Sequence, residues 1–191
     1  MWRGGRGRAL VLACAMLAAA AVPAVARTYL DRDRALAQAF GADARIRTRT
    51  VFLTEAAARG AEQAAGAKLE SPRVTFYEAM RGDSMLGTAY LDTHRVRTMN
   101  ETVMIVVTPQ GRVGVVEVLA FAEPEDYRAP RRWLDTFEER TLSRDLRPGG
   151  AVPNLGGATL TARAIAAAVR RTLALHAAIA AEAGRPAGGA R

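Results

Sequence analysis

The spacing of apolar residues predicts two short helices and a strand in the segment that follows residue 27. Asp31 is placed to cap a helix whose apolar residues recur at helical spacing and which ends at Gly41. Thr54 is placed to cap a second helix over residues 55–65. Between the helices, arginines alternate with Ile and Thr, and this two-residue period predicts a strand over 45–53 with one solvated face.

Four further segments in the central part of the chain have strand periodicity and are bounded by turn residues. These segments are 72–77, 85–91, 102–108 and 112–121. The last two are joined by Pro109-Gln110-Gly111 and form the clearest hairpin. Their high valine content favours the centre of the sheet.

The C-terminal part is predicted to be helical after a segment that contains several prolines. Within that segment Trp133 and Phe137 lie at helical spacing, which indicates a short helix held to the core by its aromatic side chains. A long helix follows, from about Thr161 to Ala183. The sequence therefore predicts one α+β domain over residues 27–183, a mostly antiparallel sheet flanked by helices, and a disordered tail over 184–191.

The first 26 residues have the composition of a secretory signal peptide. A basic start precedes an uncharged apolar run over residues 9–21, and small residues after Pro23 suit cleavage behind Ala26. Two alternatives remain, an uncleaved membrane anchor and a lipoprotein attached through Cys14, although the apolar run is short for either. The segment predicts an exported, periplasmic protein, or one that is anchored in the membrane and faces the periplasm.

Composition excludes several kinds of site from the exported part of the chain. The only cysteine, Cys14, lies in the predicted signal peptide, so no disulfide and no cysteine-based haem motif is expected. His94 and His176 have no partners at metal-ligand spacing, and no metal site is predicted. The signal peptide contains three arginines and no acid, so its removal lowers the formal net charge from +8 to +5. Without a dense basic patch, this charge argues against nucleic acid as a partner.

A glycine-rich stretch stands at the entrance of the long C-terminal helix. It reads Asn154-Leu155-Gly156-Gly157-Ala158-Thr159-Leu160-Thr161. Glycines allow a tight turn and a close approach of the backbone to a ligand, and the unpaired N–H groups of the first helical turn attract anions. The spacing alone is also that of a turn followed by a helix cap. It therefore predicts either a phosphate site or an ordinary helix start.

The order of motifs after residue 87 resembles one protein family. The matching features are Tyr90 to His94 at a strand end, the hairpin with its Gln110-Gly111 turn, Glu117 to Leu119, Glu123-Pro124, the short helix from Trp133 to Phe137, and the closing stretch from Gly156 to His176. Together they resemble the FMN-binding domain family, exported flavin carriers that also occur in Rnf-type and sodium-pumping NADH:quinone oxidoreductase complexes. The resemblance covers roughly residues 87–176.

The resemblance implies a site for FMN at the helix entrance. In the family, the last threonine of a Ser/Thr-Gly-Ala-Thr motif carries FMN through a phosphoester that a flavin transferase installs, which implies Thr159 as the acceptor. Thr161 is expected to cap the helix or to donate to the phosphate, and Arg163 to add a charged contact. The predicted cofactor-binding residues are Thr159, Gly156, Gly157, Ala158, Leu160, Thr161, Arg163, Glu123, Pro124 and His94.

Glu123 and Pro124 are expected to cover the isoalloxazine. His94 is either a second contact on the flavin side or a polar residue at a strand end. No catalytic base or nucleophile is predicted, because the flavin itself supplies the redox chemistry.

Two positions depart from the family motif. Pro153 stands where the transferase pattern has an aspartate, and Gly156 stands where it has Ser or Thr. FMN that is covalently attached, bound without a covalent link, or absent all remain open.

The leading expectation is an exported flavoprotein that shuttles electrons between a membrane or periplasmic donor and an acceptor. The alternatives are a cofactor-free extracytoplasmic binding or scaffolding module that retains the fold, and a flavin-dependent reductase with a small substrate of its own.

Overall fold

A computed structural model describes residues 27–184, so the predicted signal peptide and residues 185–191 of the predicted tail lie outside the described residues. The elements in chain order are β1 (Arg27–Thr28), α1 (Arg32–Phe40), β2 (Arg45–Phe52), α2 (Glu55–Ala65), β3 (Arg73–Arg81), β4 (Ser84–Arg95), β5 (Asn100–Val107), β6 (Val113–Phe121), a 3-10 turn (Glu125–Tyr127), α3 (Arg131–Leu134), a second 3-10 turn (Asp135–Phe137) and α4 (Thr159–Ala183). This arrangement confirms the predicted α+β class.

The two N-terminal helices begin and end as their sequences predict. The Asp31 carboxylate accepts a hydrogen bond from the backbone N–H of Arg34 at 3.0 Å, and the Thr54 hydroxyl accepts one from Ala57. These bonds satisfy backbone donors that the helices leave unpaired. Gly66 ends α2 in the left-handed region, with φ of 64°.

The six strands form one antiparallel sheet in the order β1-β6-β5-β4-β3-β2. The four central strands occur where the alternation predicts them, although β3 and β4 run further than expected, on either side of a two-residue loop at Gly82-Asp83. The extension of β4 to Arg95 brings Asp92 and His94 into regular strand. Because side chains alternate across a strand, both project from the same face of the sheet.

The sheet is covered on both faces. On one face, α4 packs Ile165, Val169 and Leu173 against strand residues that include Val103 and Ile105. On the other face, α1 packs against a smaller cluster that includes Met104 and Val106. Trp133 and Phe137 are buried in the first cluster, and their rings meet edge to face at 5.2 Å, as the aromatic spacing predicts.

Helix α4 fixes the geometry of the candidate site. It begins at Thr159, two residues earlier than predicted, and ends at Ala183 as expected. The helix is long and apolar enough to span a bilayer, but nine of its residues are buried inside this domain. Its N-terminal end lies beside the ends of the central strands, where it meets the β4–β5 loop and the segment after β6.

Candidate functional site

A cavity of about 260 Å³ opens at the N-terminal end of α4. One wall is the stretch from Gly157 to Thr161, which is the predicted phosphate-binding entrance of the helix. The opposite wall consists of Val96 and Arg97 from the β4–β5 loop, and of Glu123 and Tyr127 from the segment after β6. The fold thus brings together residues that are more than 60 positions apart in the sequence.

The helix wall of the cavity presents a helix start without a side-chain cap. Ala158 precedes the first helical residue with φ of −126° and ψ of 42° and provides no side-chain cap, and in the described part of the chain no side chain bonds to the N–H groups of the first turn. Gly157 has φ of +78°, a conformation that favours glycine. Thr159 is exposed and lines the cavity. The positive end of the helix dipole and its free donors therefore face this space.

Thr161 does not act as the predicted cap. It lies inside the first turn of α4, is 1% exposed, and donates a hydrogen bond of 2.7 Å from its hydroxyl to the carbonyl oxygen of Tyr127. The capping role was wrong, because the hydroxyl bonds to a residue 34 positions away, on the opposite wall, rather than to its own helix. The other predicted role, a contact with the phosphate, stays a prediction. The bond holds the two walls of the cavity together.

Glu123 organises the opposite wall. Its Oε1 accepts hydrogen bonds from the backbone N–H groups of Arg97, Thr98 and Met99 at 3.3, 2.6 and 2.8 Å, and from the Thr98 hydroxyl at 3.1 Å. Burial acts to raise the pKa of this carboxyl, but the hydrogen bonds outweigh it and hold the pKa below its usual value. The charged carboxylate therefore sets the conformation of the β4–β5 loop.

Arg97 is a cavity residue that sequence reasoning missed. Glu123 holds its backbone at the cavity wall, its side chain is exposed, and it takes part in none of the ion pairs between described residues. A single arginine in a loop produces no periodic or motif signal, so its position follows only from the fold. It places a cation across the cavity from the start of α4.

The apolar part of the cavity comes from Val96, Tyr127 and Leu160. Tyr127 and Leu160 are 39% and 48% exposed, which is high for large apolar side chains. The turn that carries Tyr127 is tied to the N-terminal segment, where the Tyr29 hydroxyl bonds to Glu125 and the Arg128 guanidinium lies 4.7 Å from the centre of the Tyr29 ring. The turn is therefore held to the N-terminal segment on both sides of Tyr127, through Glu125 before it and Arg128 after it.

Four predicted cofactor-binding residues do not line this cavity: Gly156, Pro124, Arg163 and His94. Gly156 and Pro124 are immediate neighbours of lining residues, and Arg163 is exposed on the next turn of α4. His94 is buried, and both its ring nitrogens are bonded to carboxylates, so of its two predicted roles the polar strand-end residue matches its position.

His94 belongs to a buried chain of charged side chains on the α4 face of the sheet. Arg171 makes a two-pronged ion pair with Asp92, with its Nη2 at 2.8 and 2.9 Å from the two carboxylate oxygens. His94 Nδ1 lies 2.8 Å from Asp92 Oδ1, and its Nε2 lies 3.0 Å from Oε2 of Glu101, which is completely buried.

The pKa values of this chain are shifted. Burial acts to lower the pKa of His94, but the hydrogen bonds that its ring donates to Asp92 and Glu101 outweigh burial and raise the pKa to about 9. Burial raises the pKa of Glu101. Asp92 has a lowered pKa, because its bonds to His94 and Arg171 outweigh its burial. In residues 27–184, no group of three or more His, Cys, Asp or Glu side chains is placed to hold a metal ion.

Comparison of the chain with protein-family models, with curated proteins and with solved structures finds no match.

Proposed function

We propose that this protein is an exported flavoprotein that holds FMN in the cavity at the start of α4 and carries electrons between a membrane or periplasmic donor and an acceptor. The observation that carries the proposal is the convergence of residues 157–161, Arg97 and Glu123 on one cavity. These groups supply an uncapped helix start, a cation without an acidic partner among the described residues, and an ordered loop.

The helix wall suits the phosphate of FMN. The first N–H groups of α4 have no side-chain partner, and anions bind at such helix starts because the unpaired donors and the helix dipole act together. Arg97 adds a charge-assisted contact from the facing wall. Arg163, which was expected to do this from the helix, does not line the cavity.

The remaining walls suit part of an aromatic ring system. Val96, Tyr127 and Leu160 offer apolar surface beside the polar helix start. The volume of about 260 Å³ lies just below the roughly 300–1,000 Å³ of typical ligand pockets, so a flavin seated here would keep part of its surface in solvent. An exposed ring edge suits an electron carrier, because its redox partner must come close to it.

Thr159 is the residue to which a covalent link would be made. It is the first residue of α4, it is exposed, and it lines the cavity, so its hydroxyl is open to modification. Gly156 stands where the family motif has a hydroxyl residue, and a Cβ there would meet no atom within 4 Å. A serine therefore fits at this position. Pro153 is exposed, and only its carbonyl is engaged, by Trp133 Nε1 at 2.9 Å.

Bound FMN would supply the redox chemistry, and the protein would supply its binding and its electrostatic environment. The helix start and Arg97 bind the phosphate. Glu123 orders the loop that carries Arg97, and the bond from Thr161 to Tyr127 fixes the separation of the two walls.

The test is expression of the full chain for export in a host that makes a flavin transferase, followed by measurement of the intact denatured mass. We expect a gain of one FMN less one water in the wild type and in Thr159→Ser, and none in Thr159→Ala. The double variant Pro153→Asp, Gly156→Ser restores the family motif and should increase the modified fraction if attachment is incomplete.

Two other outcomes separate the alternatives. A yellow native protein with an unmodified denatured mass would support FMN bound without a covalent link. A colourless protein that also fails to bind added FMN would contradict the proposal and leave the cofactor-free binding or scaffolding module.

A further inference from the structure

The buried chain of Arg171, Asp92, His94 and Glu101 has no part in holding a ligand in the cavity, and it contains an anomaly. Glu101 is 0% exposed, and its Oε1 has no hydrogen-bond partner among residues 27–184. Buried carboxylate oxygens are normally bonded, because an unpaired one loses its hydration without compensation. The Glu101 carboxyl therefore carries a desolvation cost at Oε1 that no hydrogen bond offsets.

The hydrogen bonds fix how many protons the chain holds. Arg171 balances the charge of Asp92 through its two-pronged contact. Because the Asp92 carboxylate only accepts, the Nδ1 of His94 must carry a hydrogen. The 3.0 Å contact between His94 Nε2 and Glu101 Oε2 then requires one further proton between these two atoms. With that single proton the four side chains are neutral overall, and Oε1 is still a free acceptor.

The chain lies next to the cavity in the sheet. His94 is two residues before Val96, which lines the cavity, and Glu101 pairs in register with Phe121, two residues before Glu123. Two residues of fully extended chain span at most about 7 Å. Charge added in the cavity would therefore act on Glu101 through protein rather than water, where screening is weak.

Solvent reaches the other end of the chain. Asp92 and Arg171 line a second cleft, of about 190 Å³, between α4 and the strands β3 and β4. Both side chains are 16% exposed there, whereas His94 is 8% exposed. Of the titratable groups on this face of the sheet, His94 bonds to Glu101 directly, and Asp92 and Arg171 follow it in the chain. Tyr90 of β4 and His176 of α4, which bond to each other at 3.0 Å, lie further along the same face.

We propose that the His94–Glu101 pair is a redox-linked proton site, which takes up one proton from solvent when reduction adds negative charge in the cavity. Glu101 Oε1 is the receiving atom, because it is the free acceptor of the pair. The added electron would come from the redox partner, and the proton from a hydronium ion in the second cleft, so that one O–H bond breaks there as one O–H bond forms on Glu101. The inference rests on the proposed function, since bound FMN is the source of the added charge.

The test is a reduced-minus-oxidised infrared difference spectrum of the FMN-loaded full protein, with electrons supplied by an electrode. We expect reduction to produce a carboxylic-acid C=O band that moves when glutamate carries carbon-13. The band should be lost in Glu101→Gln and kept in Glu138→Gln, which removes an exposed acid. The midpoint potential of the wild type should depend more steeply on pH than that of Glu101→Gln.

The outcomes distinguish this inference from the proposed function. Bound, reducible FMN without an isotope-sensitive band overturns the proton site and leaves the flavoprotein intact. A protein that binds no FMN overturns both. If Glu101→Gln fails to fold, Glu101→Asp replaces it, and the band should then cease to respond to labelled glutamate. A band that still responds would assign the proton to another residue.

Discussion

The hydroxyl of Thr161 donates a hydrogen bond of 2.7 Å to the main-chain carbonyl of Tyr127 and so connects the first turn of α4 to the facing wall of the cavity. Thr161 is 1% exposed, which shields this bond from water. Residues on both sides of the bond line the cavity, so the distance between the walls depends on it.

Replacement of Thr161 by valine should loosen the cavity. Valine keeps the shape of the side chain but removes the donor, so the Tyr127 carbonyl loses its partner. We expect the free energy of unfolding to fall by about 1 kcal/mol and FMN to bind more weakly. Urea denaturation and fluorescence titration with FMN measure the two effects.

Thr161→Ser is the matched control, because it retains the hydroxyl and loses only a methyl group. It should retain FMN affinity within about a factor of two, which corresponds to a change of roughly 0.4 kcal/mol in binding free energy. Equal weakening by serine and valine would contradict a role for the hydroxyl.

The two adjacent glycines at the start of α4 should respond differently to the same substitution. A Cβ at either Gly156 or Gly157 would meet no atom within 4 Å, but only Gly157 has a positive φ, of +78°. Gly157→Ala should therefore cost about 1–2 kcal/mol of stability through backbone strain, whereas Gly156→Ala should be nearly neutral. Thermal unfolding of the two variants gives the comparison.

Both variants remove one glycine from the same loop, so each controls for the other in composition. Replacing glycine by alanine restricts the unfolded chain, which by itself stabilises the fold. An equal loss of stability in both variants would therefore contradict strain at Gly157 as the cause of the cost.

Local rules predicted the helices and strands well, because caps and turns bond within a few residues. Asp31 and Thr54 accept hydrogen bonds from residues three positions away, and the sequence displays both partners side by side. The capping rule failed for Thr161, because the hydroxyl bonds to Tyr127 and no local sequence pattern shows that contact.

The candidate site was predictable only where a motif lies in one continuous stretch. The entrance of α4 and Glu123, both named from the sequence, line the cavity, whereas Arg97 reaches it through a loop that Glu123 holds in place. The buried acids were missed for a different reason. Glu101 lies in a strand of apolar residues, and the alternation rule assigns a single charged residue in such a strand to the solvent-exposed face. Only the contact with His94 shows that Glu101 is buried and paired.

Removal of the Glu123 side chain should release the β4–β5 loop. Three backbone N–H groups lose one shared, charged acceptor in Glu123→Ala, and a single hydrogen bond to a charged group contributes about 1.5–3 kcal/mol. We expect hydrogen exchange at Thr98 and Met99 to accelerate at least about tenfold, and FMN affinity to fall as Arg97 loses its position. Amide exchange followed by NMR measures the first effect.

Glu123→Gln separates charge from geometry, because the amide oxygen can still accept the same hydrogen bonds. It should protect the loop better than alanine does, and less well than the native carboxylate. Exchange rates in Glu123→Ala that equal those of the wild type would show that the loop is ordered by other contacts.

The stability of the protein should fall as the pH rises from 6.5 to 9. The pKa of His94 is 6.5 in an ordinary environment and about 9 in the folded protein, so in this window the folded state keeps a proton that the unfolded chain has lost. The stabilisation is complete below pH 6.5 and disappears as the pH passes 9. With 1.36 kcal/mol for each pKa unit, the fall is of the order of 3 kcal/mol.

Two histidine variants isolate this effect, since the sequence contains only His94 and His176. His94→Gln should be less stable than the wild type at pH 6 and lose most of the decline between pH 6.5 and 9. His176→Gln should keep the decline, because burial lowers the pKa of His176 and its proton balance changes only below pH 6.5. Urea midpoints measured across this pH range for the three proteins make the comparison. A decline of the same size in His94→Gln would show that the Asp92–His94–Glu101 chain does not hold the proton that its hydrogen bonds require.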